Sequence, residues 1–266
     1  MSANALQRPV PKANADTRAF WDAINDKNEL TYQVCEDCGK VASYPRGVCA
    51  HCHSRRLAMR TSTGRGVVKT WTRNHRAATP AFKDHVPYVI AIIDVEEGFP
   101  VMVNITGEYA NQVAIGDKVG VVVRDRGDGV KLLQAIPMYT WERFVPGSDL
   151  GTISEPVTAE VCEQWASLYP WDKVGADGLA PFGMTSVLMM RAYLMIATPR
   201  PPGNVHASQR FTVTARPRVG EVIESRLRVL SKTRKGERGF VEFELIASGE
   251  GGRALFTGVM TLIWAA

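Results

Sequence analysis

The stretch CEDCGKVASYPRGVCAHC, residues 35–52, sets Cys35, Cys38, Cys49 and Cys52 as two C-x2-C pairs separated by ten residues. Two such pairs fold back as small turns whose four thiolates converge on one centre, the tetrahedral sulfur cage that a structural zinc ion prefers. Sulfur fills all four positions. No place is left for an activated water, so the metal holds a fold together and does no chemistry. Gly39 follows the first pair, where a turn donating backbone N–H groups to sulfur often needs a positive φ. In the second pair His51 and His53 flank Cys52, and with two complete cysteine pairs they are read as bystanders. The alternative of buried thiols or disulfides does not suit this spacing in one short stretch.

At 266 residues the chain is long enough for two domains, each with its own core. Met1 to Arg18 is polar, with neither an apolar core nor a cleavage site. The longest apolar stretch, Met184 to Thr198, is interrupted by Arg191 and too short to span a bilayer comfortably. The expectation is a cytoplasmic protein with no membrane association. Cys162 is a lone cysteine with no histidine near it in sequence, read as a core residue. The net charge of +5 and pI near 9.0 permit an acidic partner, either nucleic acid or the phosphates of coenzyme A, and do not choose between them.

Outward from the cysteines, ADTRAFWDAINDKNE (15–29) reads as an amphipathic helix capped by Asp16, with Phe20, Trp21, Ile24 and Leu30 on one face. That face either packs on the domain that follows or edges a groove. After the cysteines come five short strand-like runs: Gly66 to Arg73, Pro87 to Val95, Phe99 to Thr106, Lys118 to Val123 and Val130 to Ile136. Gly, Asp and Pro clusters separate them, which suits a five-stranded barrel of the OB type, although periodicity alone allows another small barrel. PGSDLG (146–151) reads as a seam between domains. Beyond it, Val157 to Leu168 reads as a short helix capped by Thr158. Phe182 to Thr198 reads as a long helix, apolar almost all round and so buried on most sides. Four alternating strands follow, at His206 to Ala215, Glu221 to Ser231, Phe240 to Ser248 and Ala254 to Trp264. One buried helix followed by long antiparallel strands is the pattern of a hot-dog fold.

Phe20-Trp21, the cysteine run, Gly64 and Gly66, Pro87-Tyr88-Val89 and NITG at 104–107 resemble the zinc-ribbon plus OB-fold proteins that accompany thiolase-like enzymes, over about Ala15 to Met138. The resemblance implies an accessory module whose thiolase-fold partner supplies the catalytic residues and whose barrel helps shape a CoA-ester channel. The helix from Phe182, NVHASQRFTVTARPRVGEVIES (204–225) and ALFTGVMTLIW (254–264) resemble MaoC-like acyl-CoA hydratase domains. Together they imply an α+β chain: an N-terminal helical segment (1–30), a rubredoxin-like zinc ribbon (31–62), an OB-fold barrel (63–146) and a MaoC-like hot-dog domain (151–266).

Active hydratases of that kind carry an Asp followed five residues later by a His, which position and deprotonate a water. Here Asp172 is followed by Asp177, and no histidine lies between His85 and His206. The expectation is therefore no catalytic residue in this chain, with both aspartates idle and His206 an ordinary residue at a strand start. Related two-module chains implied by the resemblance act in CoA-dependent side-chain degradation of steroids, but with the hydratase-like module first; here the order is reversed.

These expectations describe an accessory subunit that docks a thiolase-superfamily aldolase or thiolase. Its hot-dog half would pair with a second copy or with a hydratase-like hot-dog chain. Zinc is the expected structural cofactor and an acyl-CoA thioester the expected ligand, with Arg46, Arg55 and Arg56, and beside them Arg60, as candidate phosphate anchors. Lys232 to Arg238 reads as a solvated hairpin loop, and Tyr44 and Tyr88 as packing residues. Two other readings stay open. A nucleic-acid-binding ribbon and barrel would stack bases on Trp71, Tyr88 and Phe99; an enoyl-CoA hydratase half would need a replacement base.

Overall fold

The structure is a computed structural model describing residues 8–265. The first seven residues of the expected N-terminal segment, and the last residue of the expected hot-dog domain, lie outside the described residues. The chain divides into two compact units, Met1–Met138 and Tyr139–Ala266.

The first unit opens with helix α1 (Arg18–Asp22), which widens into a π-helical turn over Ala23–Lys27 and ends at the left-handed Asn28. The sequence predicted one helix from Ala15 capped by Asp16. Instead a turn precedes the helix, fastened by Asn14 and Thr17: each backbone N–H donates to the other's side-chain oxygen, at 3.0 and 2.9 Å. Phe20, Ile24 and Leu30 are buried in the barrel core and Trp21 packs beside them. The apolar face therefore packs on its own domain and edges no groove.

Strands β1 (Thr31–Cys35), β2 (Val41–Ala42) and β3 (Leu57–Thr61) form a small antiparallel sheet in the order β2-β1-β3. Then β4 (Arg65–Asn74), β5 (Tyr88–Val95), β6 (Pro100–Ile105), β7 (Lys118–Asp125) and β8 (Lys131–Pro137) close a barrel in the order β4-β5-β6-β8-β7. Its pairs are antiparallel except β6 with β8, the arrangement of the five-stranded OB barrel. Alternation drives closure: Val89, Ala91, Ile93 and Val95 of β5 and Val101, Val103 and Ile105 of β6 all point inward. Glycines admit the close approach of β4 to its neighbours. A Cβ on Gly64 would lie 2.3 Å from the Val121 carbonyl oxygen, and one on Gly66 2.6 Å from that of Asp94.

In the second unit, β9 (Asp149–Pro156) leads into helices α2 (Ala159–Leu168) and α3 (Met184–Ile196). Four strands follow: β10 (Val205–Val213), β11 (Val222–Lys235), β12 (Arg238–Ser248) and β13 (Ala254–Trp264). The sheet runs β10-β13-β12-β11-β9, antiparallel throughout, with α3 packed against β9, β11 and β12. One long helix held by a curved antiparallel sheet is the hot-dog fold. Thr158 caps α2 as expected, accepting from Val161 N–H at 3.2 Å.

Four features depart from the sequence reading. PGSDLG, predicted as a seam, runs into edge strand β9, whose alternation is masked because one of its two buried positions, Leu150 and Glu155, carries a charge. Residues 139–144, predicted as the end of the barrel domain, pack in the second unit. There Phe144 is fully buried between Tyr139, Phe243 and Trp264, with ring centroids 6.0, 5.1 and 4.8 Å away. Helix α3 is buried on one side only. Met184, Leu188, Met189, Ala192, Tyr193 and Ile196 face the sheet, while Val187, Leu194 and Met195 remain 37–54% exposed.

Finally, the run Lys232 to Arg238, predicted as a solvated loop, is mostly strand. Lys232, Arg234 and Lys235 belong to β11, Arg238 opens β12, and only Gly236 and Glu237 turn. Lys232 and Arg234 flank the Trp141 ring at 4.5 and 4.6 Å, while Arg234, Lys235 and Arg238 stay exposed, as the solvated reading had it.

Candidate functional site

Two backbone knuckles build the metal centre. In the first, Gly39 N–H donates to the Cys35 carbonyl at 2.9 Å with Gly39 at φ +69°. In the second, His53 N–H donates to the Cys49 carbonyl at 3.0 Å, with His53 at φ +58°. His53 thus fills the left-handed position that glycine fills in the first knuckle, which accounts for the second knuckle's irregular sequence. The four sulfur atoms all lie within 4.8 Å of one another. Cys35 to Cys52 is 3.5 Å and Cys38 to Cys49 is 3.7 Å. A zinc–sulfur bond of about 2.3 Å gives a tetrahedron with edges of about 3.8 Å, so the cage fits the ion.

The electrostatics point the same way. N–H groups of Cys52 and His51 draw the Cys49 thiol down to about 6. At Cys52 the Ser54 N–H acts in the same direction, but the neighbouring Cys38 and Cys35 sulfurs and burial push the thiol up to about 12. Four thiols this close need a cation to ionise together. The cysteines form a structural zinc site.

The candidate phosphate anchors are not gathered at one place. Arg46 lines a cleft of about 280 Å³ beside the knuckles, with Lys40, Tyr44 and Val48. Arg55 and Arg56 lie outside its lining, and the Arg56 guanidinium is held by Asp37 at 2.7 Å, with Glu36 at 3.9 Å. Arg55 and Arg60 are exposed. Tyr44, predicted to pack, is 56% exposed, although its ring lies 5.9 Å from that of Phe20. Phe99, offered by the nucleic-acid reading as a stacking platform, is in the core and stacked on Tyr32 at 5.0 Å.

In the hot-dog unit Asp172 has a definite partner set. Its Oδ1 accepts from Phe182 N–H at 2.8 Å, and its Oδ2 from Gly183 N–H at 2.7 Å and Trp165 Nε1 at 3.0 Å. The carboxylate caps the N-terminus of α3 and ties it to α2. Gly183 is needed there for space, since a Cβ would come within 2.6 Å of the Trp165 ring and 2.8 Å of Asp172 Oδ2. Asp177 accepts from Leu179 N–H at 3.1 Å and from Arg216 at 3.4 Å. His206 is exposed on edge strand β10. Cys162 is buried, and burial raises its thiol.

Sequence reasoning passed over Glu155 and Arg191. Arg191, the one charge inside α3, bonds the buried Glu155 at 3.0 Å. A lone arginine in an otherwise apolar helix was the signal that an acidic partner faces it.

The family models match the first unit. Residues 26–58 match the model described as "ChsH2, rubredoxin-like zinc ribbon domain" and residues 60–124 that described as "ChsH2, C-terminal OB-fold domain". The DUF35 domain-containing scaffold protein of Methanothermobacter thermautotrophicus is 33% identical over 120 residues, 43% of this chain and 90% of that protein. Through its first half, this chain belongs to the DUF35 scaffold proteins. This chain is also 31% identical over 109 residues to the probable enoyl-CoA hydratase alpha subunit of Thermomonospora curvata, 41% of this chain and 33% of that protein. The chain therefore spans only a third of that relative. Among solved structures, one described as "Ltp2-ChsH2(DUF35) aldolase" aligns at 26% identity over 48% of this chain and 98% of that chain, with a TM-score of 0.43. Beyond the DUF35 module the chain carries its hot-dog unit. Among the described residues no helix is long and apolar enough to cross a membrane.

Proposed function

We propose that this chain is a non-catalytic accessory subunit of an acyl-CoA processing complex. Its DUF35 module docks a thiolase-superfamily chain that makes or breaks a carbon–carbon bond, by thiolysis or retro-aldol cleavage. Its hot-dog half pairs with a second copy or with a hydratase-like chain. The observation that carries this reading is the state of Asp172. The acid standing in the hydratase loop has both oxygens engaged by two backbone N–H groups and an indole, and Asp177 is tied to its own loop and to Arg216. A carboxylate so engaged orders a helix start and is not poised to activate water.

The rest of the chain supports an assembly role. The sulfur cage is closed, so its zinc contributes folding free energy and not Lewis acidity. The exposed side of α3 and the free edge of β10 are surfaces that a second hot-dog domain covers. Arg46 and Lys40, beside the ribbon cleft, are the cations best placed to meet a coenzyme A phosphate at a docked partner's entrance. Arg55 remains exposed for the same use, whereas Arg56 would have to leave Asp37. Steroid or other side-chain acyl groups are the substrate class we assign to the complex, within a cytoplasmic pathway.

Size exclusion of this chain mixed with a thiolase-like chain encoded beside it tests the docking step. Co-elution supports the reading; separate elution at micromolar concentrations overturns it. Hydration of a crotonyl-type thioester by this chain alone would also contradict it.

A further inference from the structure

The outward face of the barrel carries a cleft with an apolar floor. Outward positions on a barrel that meets water are expected to be polar. On β5 and β8 they are instead Tyr88, Ile90 and Leu132, and these form the floor of a cleft of about 690 Å³. That size is within the roughly 300–1,000 Å³ of small-molecule sites. The lining also includes the amides of Asn104 and Gln134, with Thr106 Oγ1 donating to Gln134 Oε1 at 3.0 Å, and the side chains of His85 and Asp125. Apolar residues joined by a small number of polar groups are the usual make-up of a small-molecule site.

The chain roofs this cleft itself. Phe82, in the short helical turn between β4 and β5, covers one side, and the segment Arg8 to Pro11 lines another. Arg126 pins that segment: its Nη1 donates to the Pro9 carbonyl at 2.7 Å and its Nη2 to the Arg8 carbonyl at 3.1 Å. Nε is held by both oxygens of Asp128, at 2.8 and 2.9 Å. In return Arg8 donates to the Arg126 carbonyl at 2.9 Å and lies 3.2 Å from His85 Nε2.

Strands and loops at this place hold oligonucleotides and oligosaccharides in other OB barrels. Here both guanidinium groups are engaged within the chain, one side chain only 8% exposed. No cationic groove runs along an apolar floor roofed by the protein's own N-terminal segment. With both lining guanidinium groups engaged in this way and the Asp125 carboxylate also in the lining, the cleft favours a neutral apolar body over a phosphate.

We infer that this cleft binds a neutral, largely apolar small molecule beneath a strap latched by Arg126. The inference stands apart from the accessory-subunit reading, because ligand binding is read on this chain alone and docking on its mixture with another chain.

The test is fluorescence titration of the full chain with N-phenyl-1-naphthylamine, a neutral apolar probe. Saturable one-to-one binding is expected. Ile90→Asp and Leu132→Asp should each weaken it at least about tenfold, because a carboxylate on the floor resists desolvation. Met102→Asp, on an outward and 65% exposed position outside the cleft, should leave it unchanged. Asn104→Trp, which fills the cleft without introducing charge, should also abolish binding and decides the matter if either aspartate variant fails to fold. Free coenzyme A, which carries phosphates, should not displace the probe. No saturable binding by the folded chain, binding indifferent to the cleft variants, or displacement by coenzyme A would each overturn the inference.

Discussion

Replacing Asp172 separates a helix cap from a catalytic acid. Asp172→Ala removes three hydrogen bonds at once, two of them from backbone N–H groups at the start of α3. Loss of a cap costs about 0.5–2 kcal/mol, and the Trp165 indole loses its carboxylate partner as well, so the expected destabilisation of the hot-dog unit is about 2–3 kcal/mol. A unit of this size should then melt roughly 5–12 °C lower, judged by the scaling of melting temperature with stability. Asp172→Asn keeps one acceptor oxygen and loses the charge facing the helix dipole, so its cost should be about half as large. Differential scanning calorimetry measures both, and amide exchange at Phe182 and Gly183 should quicken in the alanine variant. The same variants in the assembled complex should keep near-normal turnover at temperatures where they are folded. A hundredfold loss of turnover with an unchanged melting temperature would refute the capping argument and return Asp172 to chemistry.

Other outcomes follow from the same structure. Cys35→Ser, or chelation of the metal, should unfold the ribbon and lower both solubility and melting temperature, followed by zinc release with a colorimetric chelator; loss of activity in a fully folded protein would argue for a catalytic metal. Glu221 is buried, which raises its carboxyl, but the N–H groups of Arg218 and Glu250 and the Arg253 guanidinium outweigh burial and hold it below the usual 4.5. A depressed pKa contributes stability that is present above the unfolded value and lost as pH falls through the folded one. Stability of the hot-dog unit should therefore decline from about pH 4.5 downward, and Glu221→Gln should flatten that decline in urea titrations. Arg191→Met leaves the buried Glu155 without its half-exposed partner and should cost about 1–3 kcal/mol, whereas Glu155→Leu with Arg191→Met should recover most of it; a double-mutant cycle in urea measures this.

Both domain types were legible from patterns with a short physical range. The cysteine spacing specified the cage, and the Val- and Ile-rich run Pro87 to Val95 and the alternation in Phe240 to Leu245 placed strands to within a residue or two. What escaped the sequence depended on distant partners. Strand β9 hides its period because Glu155 occupies a buried position, and only Arg191, from a helix 36 residues on, makes that placement tolerable. Residues 139–144 looked like the tail of the barrel because nothing local shows that Phe144 enters a cluster with Phe243 and Trp264. At the site, loss of the Asp and His pair was readable, but the use of Asp172 as a cap was not. It depends on Gly183 and Trp165 meeting the carboxylate after the loop has folded. The outward apolar floor of the barrel was present in the sequence as Tyr88 and Ile90, whose place in strand order was visible and whose roof was not.

The central claim is that this chain acts by completing another enzyme. Its most direct test is a retro-aldol and thiolysis assay of the neighbouring thiolase-like chain on a CoA ester, with and without this protein. The expected result is carbon–carbon cleavage that requires this chain and persists when Asp172 is replaced by Asn. A thiolase-like chain that turns over equally well alone would contradict the account.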